Sequence, residues 1–280
     1  MGRPQSVRFD EIGYWSEIKL DIVKEYVKAY STILTAQRTP SLHHVYIDAF
    51  CGAGIHLSKT TQEFVLGSPR NALLVEPPFR EYYFIDLDGK KVRALRSVVG
   101  NRPDVRILEG DCNQILLQEV FPKVRYEDYR RALCLLDPYG LDLNWEVLAT
   151  AGRMRTIDLF LNFPVMDMNR NTLWRNPDSV PPRGIERMNA FWGDDSWRKA
   201  AYKPTPLFTE IEEKADNKEI ADAFRRRLRQ SAGFARVLEP LPMRNSTGAV
   251  VYYLFFASQR QVAEDVVQDI FDKYRQRGAR

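Results

Sequence analysis

The sequence predicts an α/β fold: a mostly parallel sheet, an antiparallel C-terminal hairpin strand and a helical insertion after the fifth strand. Short apolar runs that end in an acid alternate with helix-like segments, which is the pattern of βαβ units with right-handed crossovers. The first such run passes directly into Gly52-Ala53-Gly54. Near the C-terminus, two apolar runs flank Asn245-Ser246-Thr247-Gly248, a hairpin connection.

Residues 14–36 read as a helix, because Ile18, Ile22, Val23, Val27 and Tyr30 recur at helical spacing with charges between them. It belongs to an N-terminal helical segment, 1–44. Lys19 on this helix reads as a solvated lysine, with reach to a ligand as the alternative. Val45 to Asp48 is a β-forming run without clean alternation, as in a strand covered on both faces. Residues 55–67 extend the turn after it as a loop, and Ser68-Pro69 begins a helix in N-cap and N1 fashion. Three more runs end on acids: Glu81 to Asp86, Val105 to Asp111 and Ala132 to Asp137. Asp88 and a basic helix to about Val99 follow the first of them, and Pro138-Tyr139-Gly140 follows the last. Ile157 to Phe163 is the fifth strand and completes a core of 45–164.

Beyond Pro164 the pattern breaks into a helical insertion, 165–232, rich in Trp and Arg. Arg170, Trp174, Arg175, Arg183, Arg187, Trp192, Trp197 and Arg198 lie here. They fit base stacking with phosphate contact, and equally a helical cap with its own tryptophan core. The helix 217–231 carries Arg225, Arg226, Arg227 and Arg229, a phosphate-facing or simply solvated surface. The segment 233–280 supplies the hairpin, Ala235 to Arg244 and Ala249 to Ser258, and a helix from about Gln261 to Tyr274 that completes the core.

Asp48, Asp86, Asp111 and Asp137 thus stand at successive strand ends, where open α/β sheets bind ligands. A strand-end acid can also simply cap the next helix. The glycine turn lets backbone approach a ligand. Asp48 just before it repels a pyrophosphate and favours a ligand with an amino group. A dinucleotide site would need a third glycine and an acid about 20 positions on. Here the run continues Ile55-His56-Leu57 instead. These features favour S-adenosylmethionine, with Asp48 near the methionine amine, Asp86 for the ribose hydroxyls and Asp111 for the adenine amino group. A sulfonium methyl is already electrophilic, so positioning supplies most of the remaining chemistry.

On these residues the chain resembles the class I S-adenosylmethionine-dependent methyltransferases, whose sheet is Rossmann-like. Asp48-Ala49-Phe50-Cys51-Gly52-Ala53-Gly54 resembles their first motif, Phe84-Ile85-Asp86 the ribose-binding acid, Glu109-Gly110-Asp111 the adenine-side acid and Asp137-Pro138-Tyr139-Gly140 the fourth motif. The resemblance implies a cofactor site of Asp48, Phe50, Gly52, Gly54, Asp86 and Asp111. More narrowly, Lys19-Leu20, Gly67-Ser68-Pro69, Leu136 to Leu141 and Asn162-Phe163-Pro164 are similar to the three-Cys-motif partner proteins. That likeness implies a partner carrying a three-cysteine motif. Resemblance to amino-methyltransferases makes Asp137, Pro138 and Tyr139 the catalytic set, with Asp137 accepting the amine proton or a hydrogen bond from it and Tyr139 stacking on a base flipped from any duplex. The order Asp-Pro-Tyr-Gly departs from the usual Asp-Pro-Pro-Tyr and is closer to the Asp-Pro-Phe-Gly of tRNA guanine-N2 dimethyltransferases. The acceptor therefore stays open, and a turn closing a strand is the alternative.

The expected function is methylation of an amino nitrogen in DNA or RNA, with Arg170, Trp174 and Arg175 as substrate contacts. The alternatives are a non-catalytic cofactor-binding accessory subunit of the partner, and methylation of a small molecule or protein. A net charge of +4 permits nucleic acid without requiring it. Three scattered cysteines, Cys51, Cys112 and Cys134, show no zinc spacing and suit a reducing cytosol. Cys51 reads as a packing residue rather than a nucleophile. Three histidines make a histidine metal site improbable, so no metal is expected. No signal peptide or membrane-length apolar run is seen, so a cytoplasmic protein that does not enter membranes is expected.

Overall fold

The computed structural model describes residues 10–204 and 212–278. Residues 1–9, 205–211, 279 and 280 lie outside them, and with them parts of the N-terminal segment, the insertion and the C-terminal segment read from the sequence. The chain forms two compact units, residues 1–136 with 266–280, and residues 137–265.

The first unit runs β1 (Asp10–Ile12), α1 (Tyr14–Ala36), β2 (His43–Asp48), β3 (Ile55–Ser58), β4 (Phe64–Leu66), α2 (Ser68–Leu73), β5 (Glu81–Asp86), α3 (Gly89–Val99), β6 (Val105–Glu109), α4 (Cys112–Ile115) and β7 (Arg130–Leu136). Its sheet has the order β7-β2-β5-β6, parallel throughout. In chain order of these strands that is 4-1-2-3, which matches four of the six strands of the doubly wound Rossmann arrangement. β2 lacks alternation because both its faces are covered: Val45, Tyr46 and Ile47 are all fully buried. The α1 stripe of Ile18, Ile22, Val23, Tyr26, Val27 and Tyr30 is buried, and Tyr30 stacks on Phe79, which also meets the rings of Tyr46 and Tyr82.

Two expectations are corrected in this unit. The stretch 55–67 is not a loop, for β3 and β4 pair antiparallel and β1 adds to β3 in parallel as a small second sheet. Its partner strand lies far up the chain, so no local pattern announces it. Ser58 secures it, its backbone amide donating to Glu63 and its hydroxyl to Glu17 at 2.6 Å. Nor is Lys19 solvated: it is 7% exposed, on the buried side of α1.

The second unit holds α5 (Trp145–Met154), β8 (Ile157–Phe163), α6 (Val165–Asn171), α7 (Pro182–Trp192), α8 (Trp197–Ala201), β9 (Tyr202–Pro204), β10 (Glu212–Lys214), α9 (Asn217–Gln230), β11 (Arg236–Val237), β12 (Leu241–Arg244) and β13 (Val250–Ser258). α10 (Gln261–Gly278) begins in this unit and ends in the first. β13 runs antiparallel to β8 and, on its other side, to β11 and β12. The hairpin strand expected from the sequence is therefore present. Its first arm, however, is two short strands rather than a continuous Ala235 to Arg244. Pro240 lies between them and has no N–H for the ladder. Phe163, Phe191, Phe224 and Phe255 pack ring against ring under α7 and α9. Burying each such side chain contributes about 1.5–3 kcal/mol. An Asp216/Glu219 capping box starts α9.

Candidate functional site

In the first unit the glycine turn leaves β2 where the strand order reverses, between β2 and β7. Ala49 N donates to Leu135 O and Cys51 N to Ile85 O, both at 3.0 Å, so both neighbouring strands hold the turn. Gly52 and Gly54 have φ of +63° and +77°, a region open to glycine at no steric cost. A Cβ on Gly54 would stand 2.7 Å from Leu95 Cδ1, whereas one on Gly52 would meet only His56 Cε1, at 4.0 Å. A Cβ at Gly52 would thus have room, although Gly52 itself is buried. Gly67 N donates to Gly54 O at 2.9 Å, which brings the end of β4 and the start of α2 onto the turn.

The acids take different parts. Asp86, 6% exposed, accepts from Gly52 N through Oδ2 and from Asp88 N through Oδ1, both at 2.8 Å. It ties the end of β5 to the glycine turn, and each oxygen keeps a second lone pair. Asp48 is fully buried. Burial, and then the charges of Asp48 and Asp86, push the Cys51 thiol well above its ordinary range. Burial and Asp48 push Cys134 up likewise. Both stay thiols at neutral pH, and Cys51 is a packing residue. Asp111 is exposed and caps α4, its Oδ1 accepting from Asn113 N and Nδ2 at 2.9 Å. Gly110 N donates to Asp86 O at 3.1 Å, which sets Asp111 one residue from the Asp86 strand end. Phe50 is half-buried within the turn.

In the second unit, Asp137 Oδ1 accepts from Asn162 Nδ2 at 2.7 Å. An ionised carboxylate only accepts, so the bond also fixes which way the Asn162 amide faces. Asn162 is 9% exposed, and its Oδ1 is buried without a hydrogen-bond partner among the described residues. Pro138 is buried, while the Tyr139 ring is 68% exposed. A Cβ on Gly140 would lie 2.8 Å from Asp167 Oδ2 and 3.1 Å from the Arg187 guanidinium, so both side chains pack closely over this turn. Arg187 bridges Asp142 at 3.2 Å and Asp167 at 3.8 Å.

Arg170, Trp174 and Arg175 gather at the C-terminal end of α6. The Trp174 indole N–H donates to Arg170 O at 2.8 Å, and Arg170 and Arg175 are exposed. Burial, then Arg175, lower the Lys214 ammonium from its usual range, and Lys214 Nζ donates to Asn169 Oδ1 at 2.7 Å. Other basic and aromatic residues of the insertion are structural. Trp192 and Trp197 are buried, their indole N–H groups donating to Ser196 and Asn189. Arg227 donates to Trp192 O, pairs with Asp194 and stacks on Trp145. Arg226 and Arg229 of α9 stay exposed, beside a hollow of about 340 Å³ shared with Lys218, Asp222, Arg225 and Glu239.

Sequence reasoning passed over Asn162, His56 and Arg70 as site residues. Asn162 carried a signal, a lone amide in an apolar strand. His56 and Arg70 carried none, since the folding of β3, β4 and α2 onto the turn brings them there. Among the described residues no cluster of His, Cys, Asp and Glu could hold a metal ion. No described helix is long and apolar enough to cross a membrane.

Neither a protein-family model nor a curated protein matches the chain. Solved structures do resemble it. Protein LPL1258 from Legionella pneumophila shares 10% identity over 91% of each chain, with a TM-score of 0.47. The methyltransferase domain of a bacterial Hen1, CtHen1-CN, shares 10% identity over 85% of this chain and 99% of its own, with a TM-score of 0.41. An S-adenosylmethionine-dependent methyltransferase from Leishmania major shares 8% identity over 85% of this chain and 72% of its own, with a TM-score of 0.40. At these values the likeness assigns neither family nor activity, and function must rest on this chain's own residues.

Proposed function

We propose that this chain is an S-adenosylmethionine-dependent methyltransferase acting on an amino nitrogen of a nucleic-acid base, together with a three-Cys-motif partner protein. The observation that carries the reading is the Asp86 carboxylate on Gly52 N, at the carboxyl end of the first strand of a 4-1-2-3 sheet. The residues fit the cofactor: Gly52 and Gly54 hold the positive-φ turn, a Cβ on Gly52 would have room, and buried Asp48 precedes both. When bound, S-adenosylmethionine supplies an electrophilic methyl on a sulfonium. Asp86 has lone pairs for the ribose hydroxyls. Asp111 commits Oδ1 to its cap and keeps Oδ2 for the adenine amino group. Phe50 flanks the turn.

For the acceptor, Asp137 holds the amino group through its carboxylate and takes the proton, while Asn162 fixes the carboxylate. The Pro138 carbonyl is a second acceptor for that amino group, and the exposed Tyr139 ring is a stacking surface for the base. Arg170 and Arg175 contact phosphate, and Trp174 lies between them. The nucleic-acid substrate is supported by this arrangement of cations and rings, and the partner by the short motifs shared with the three-Cys-motif partner proteins.

Labelled methyl donor incubated with DNA, RNA and the purified protein, with and without the partner, tests the reading. Asp137→Ala should lower transfer about 10²–10⁴-fold, the usual contribution of a positioned acid–base group. Its affinity for S-adenosylhomocysteine should stay within about twofold, because Asp137 contacts the acceptor only. Cofactor binding without transfer under any condition would point to the accessory subunit. Transfer that survives nuclease treatment and loss of Arg170 and Arg175 would point to a small molecule or protein instead.

A further inference from the structure

Of the four arginines on α9, only Arg227 pairs with an acid, Asp194. Lys218, Asp222, Arg225, Arg226 and Arg229 recur at steps of three and four residues, so they share one helix face, which spans about 16 Å. With Glu239 they line the hollow of about 340 Å³. The two acids of that hollow are already engaged, for Lys218 Nζ lies 2.9 Å from Asp222 Oδ2 and 3.6 Å from Glu239 Oε1. Arg225 Nε donates to Val237 O at 2.8 Å, which fixes that guanidinium and leaves the donors of its two terminal nitrogens unused. The side chains of Arg225, Arg226 and Arg229 form no other hydrogen bond or ion pair among the described residues.

Three guanidiniums therefore stand along one helix face with no carboxylate partner among the described residues. The residues around the hollow are all charged, four cations against two acids. A protein interface has a core depleted in charge, and a membrane surface takes apolar anchors. This wall offers neither. Interfaces with nucleic acid are polar and strongly basic instead. We propose that this face of α9 binds the phosphodiester backbone of a nucleic-acid strand, with the Arg225, Arg226 and Arg229 forks on its phosphate oxygens. Such contacts position a strand without reading its bases. The site is additional to Arg170 and Arg175, and it rests on the nucleic-acid reading above for the identity of the polymer.

Fluorescence anisotropy of the full chain with a labelled single strand, its duplex and poly-glutamate, between about 50 and 200 mM salt, is the test. Arg226→Gln combined with Arg229→Gln removes two exposed, unpaired cations, so the urea midpoint should hold. Binding of nucleic acid should weaken about 10-fold at the low-salt end. The slope of log affinity against log salt should shrink by about 1.4–1.8, two phosphate contacts at about 0.7–0.9 each. Lys28→Gln combined with Arg38→Gln, the same loss of charge elsewhere, should leave affinity within about twofold. An unchanged slope in the α9 variant would overturn the inference while the nucleic-acid reading stood on Arg170 and Arg175. Equal weakening in the Lys28 and Arg38 variant would also overturn it, since net charge alone would then be acting. Poly-glutamate bound as tightly as the nucleic acids, and released by the α9 variant, would replace phosphate with a carboxylate partner and overturn it too. A folded wild-type protein that binds neither nucleic acid at the low-salt end would remove the nucleic-acid reading and this inference with it.

Discussion

Asp137 and Asn162 show how much a single residue sets here. Asp137 was legible from its place at a strand end, but its orientation comes from a residue 25 positions on. Asn162 also presents a buried Oδ1 with no partner among the described residues, an arrangement that costs stability unless a donor meets it. Asn162→Ala should therefore reduce methyl transfer about 10–100-fold, the range for one hydrogen bond to a charged group. Cofactor affinity should be unchanged, because the first-unit acids are untouched. Steady-state kinetics beside calorimetry decide it, and equal loss of binding and turnover would show Asn162 to be structural only. Asp111 illustrates the opposite case. Capping the next helix, the plain alternative for a strand-end acid, is part of what it does.

Between elements, β5 and β7 are joined across β2 by polar groups at their N-terminal ends. Glu81 on β5 accepts from the Tyr83 hydroxyl at 2.7 Å and pairs with Arg130 on β7, with His43 Nε2 at 3.6 Å. Burial pushes the Glu81 carboxyl up, but Tyr83 and Arg130 outweigh it and hold it below its ordinary 4.5. A depressed carboxylate contributes stability above the unfolded-state value and loses it as pH falls through the folded one. Glu81→Gln should accordingly cost about 1.5–3 kcal/mol at pH 7. The gap to wild type should narrow below pH 4.5, as the wild-type group takes up its proton. Urea unfolding of both proteins across that range is the check, and a constant gap would contradict the assignment. The β1-β3-β4 sheet shows what an element-level reading from sequence lacks, because parallel pairing of Asp10 with His56 leaves no trace in either segment's own pattern.

For the molecule as a whole, a ligand that binds only the folded chain must raise its stability. S-adenosylhomocysteine at 100 times its dissociation constant would add about 2.7 kcal/mol. For a chain of 280 residues that is a rise in melting temperature of about 5 °C. A calorimetric scan showing no rise at that ratio would contradict binding to the folded state alone. The net charge of +4 is too small to identify a polyanionic substrate by itself. That leaves local groups such as Arg170, Arg175 and the exposed α9 arginines to be tested individually.

By itself the sequence determined the α/β class, the strand ends and the acids on them. These follow from local rules, hydrophobic periodicity and the conformations that Gly and Pro permit. Only the tertiary structure decided which side chains meet. It placed Asn162 on Asp137, Asp86 on Gly52 and Arg70 across Gly54, and it put Trp192 and Trp197 into a core. Those contacts join segments far apart in the chain, and their energies depend on burial and distance, which no local pattern encodes.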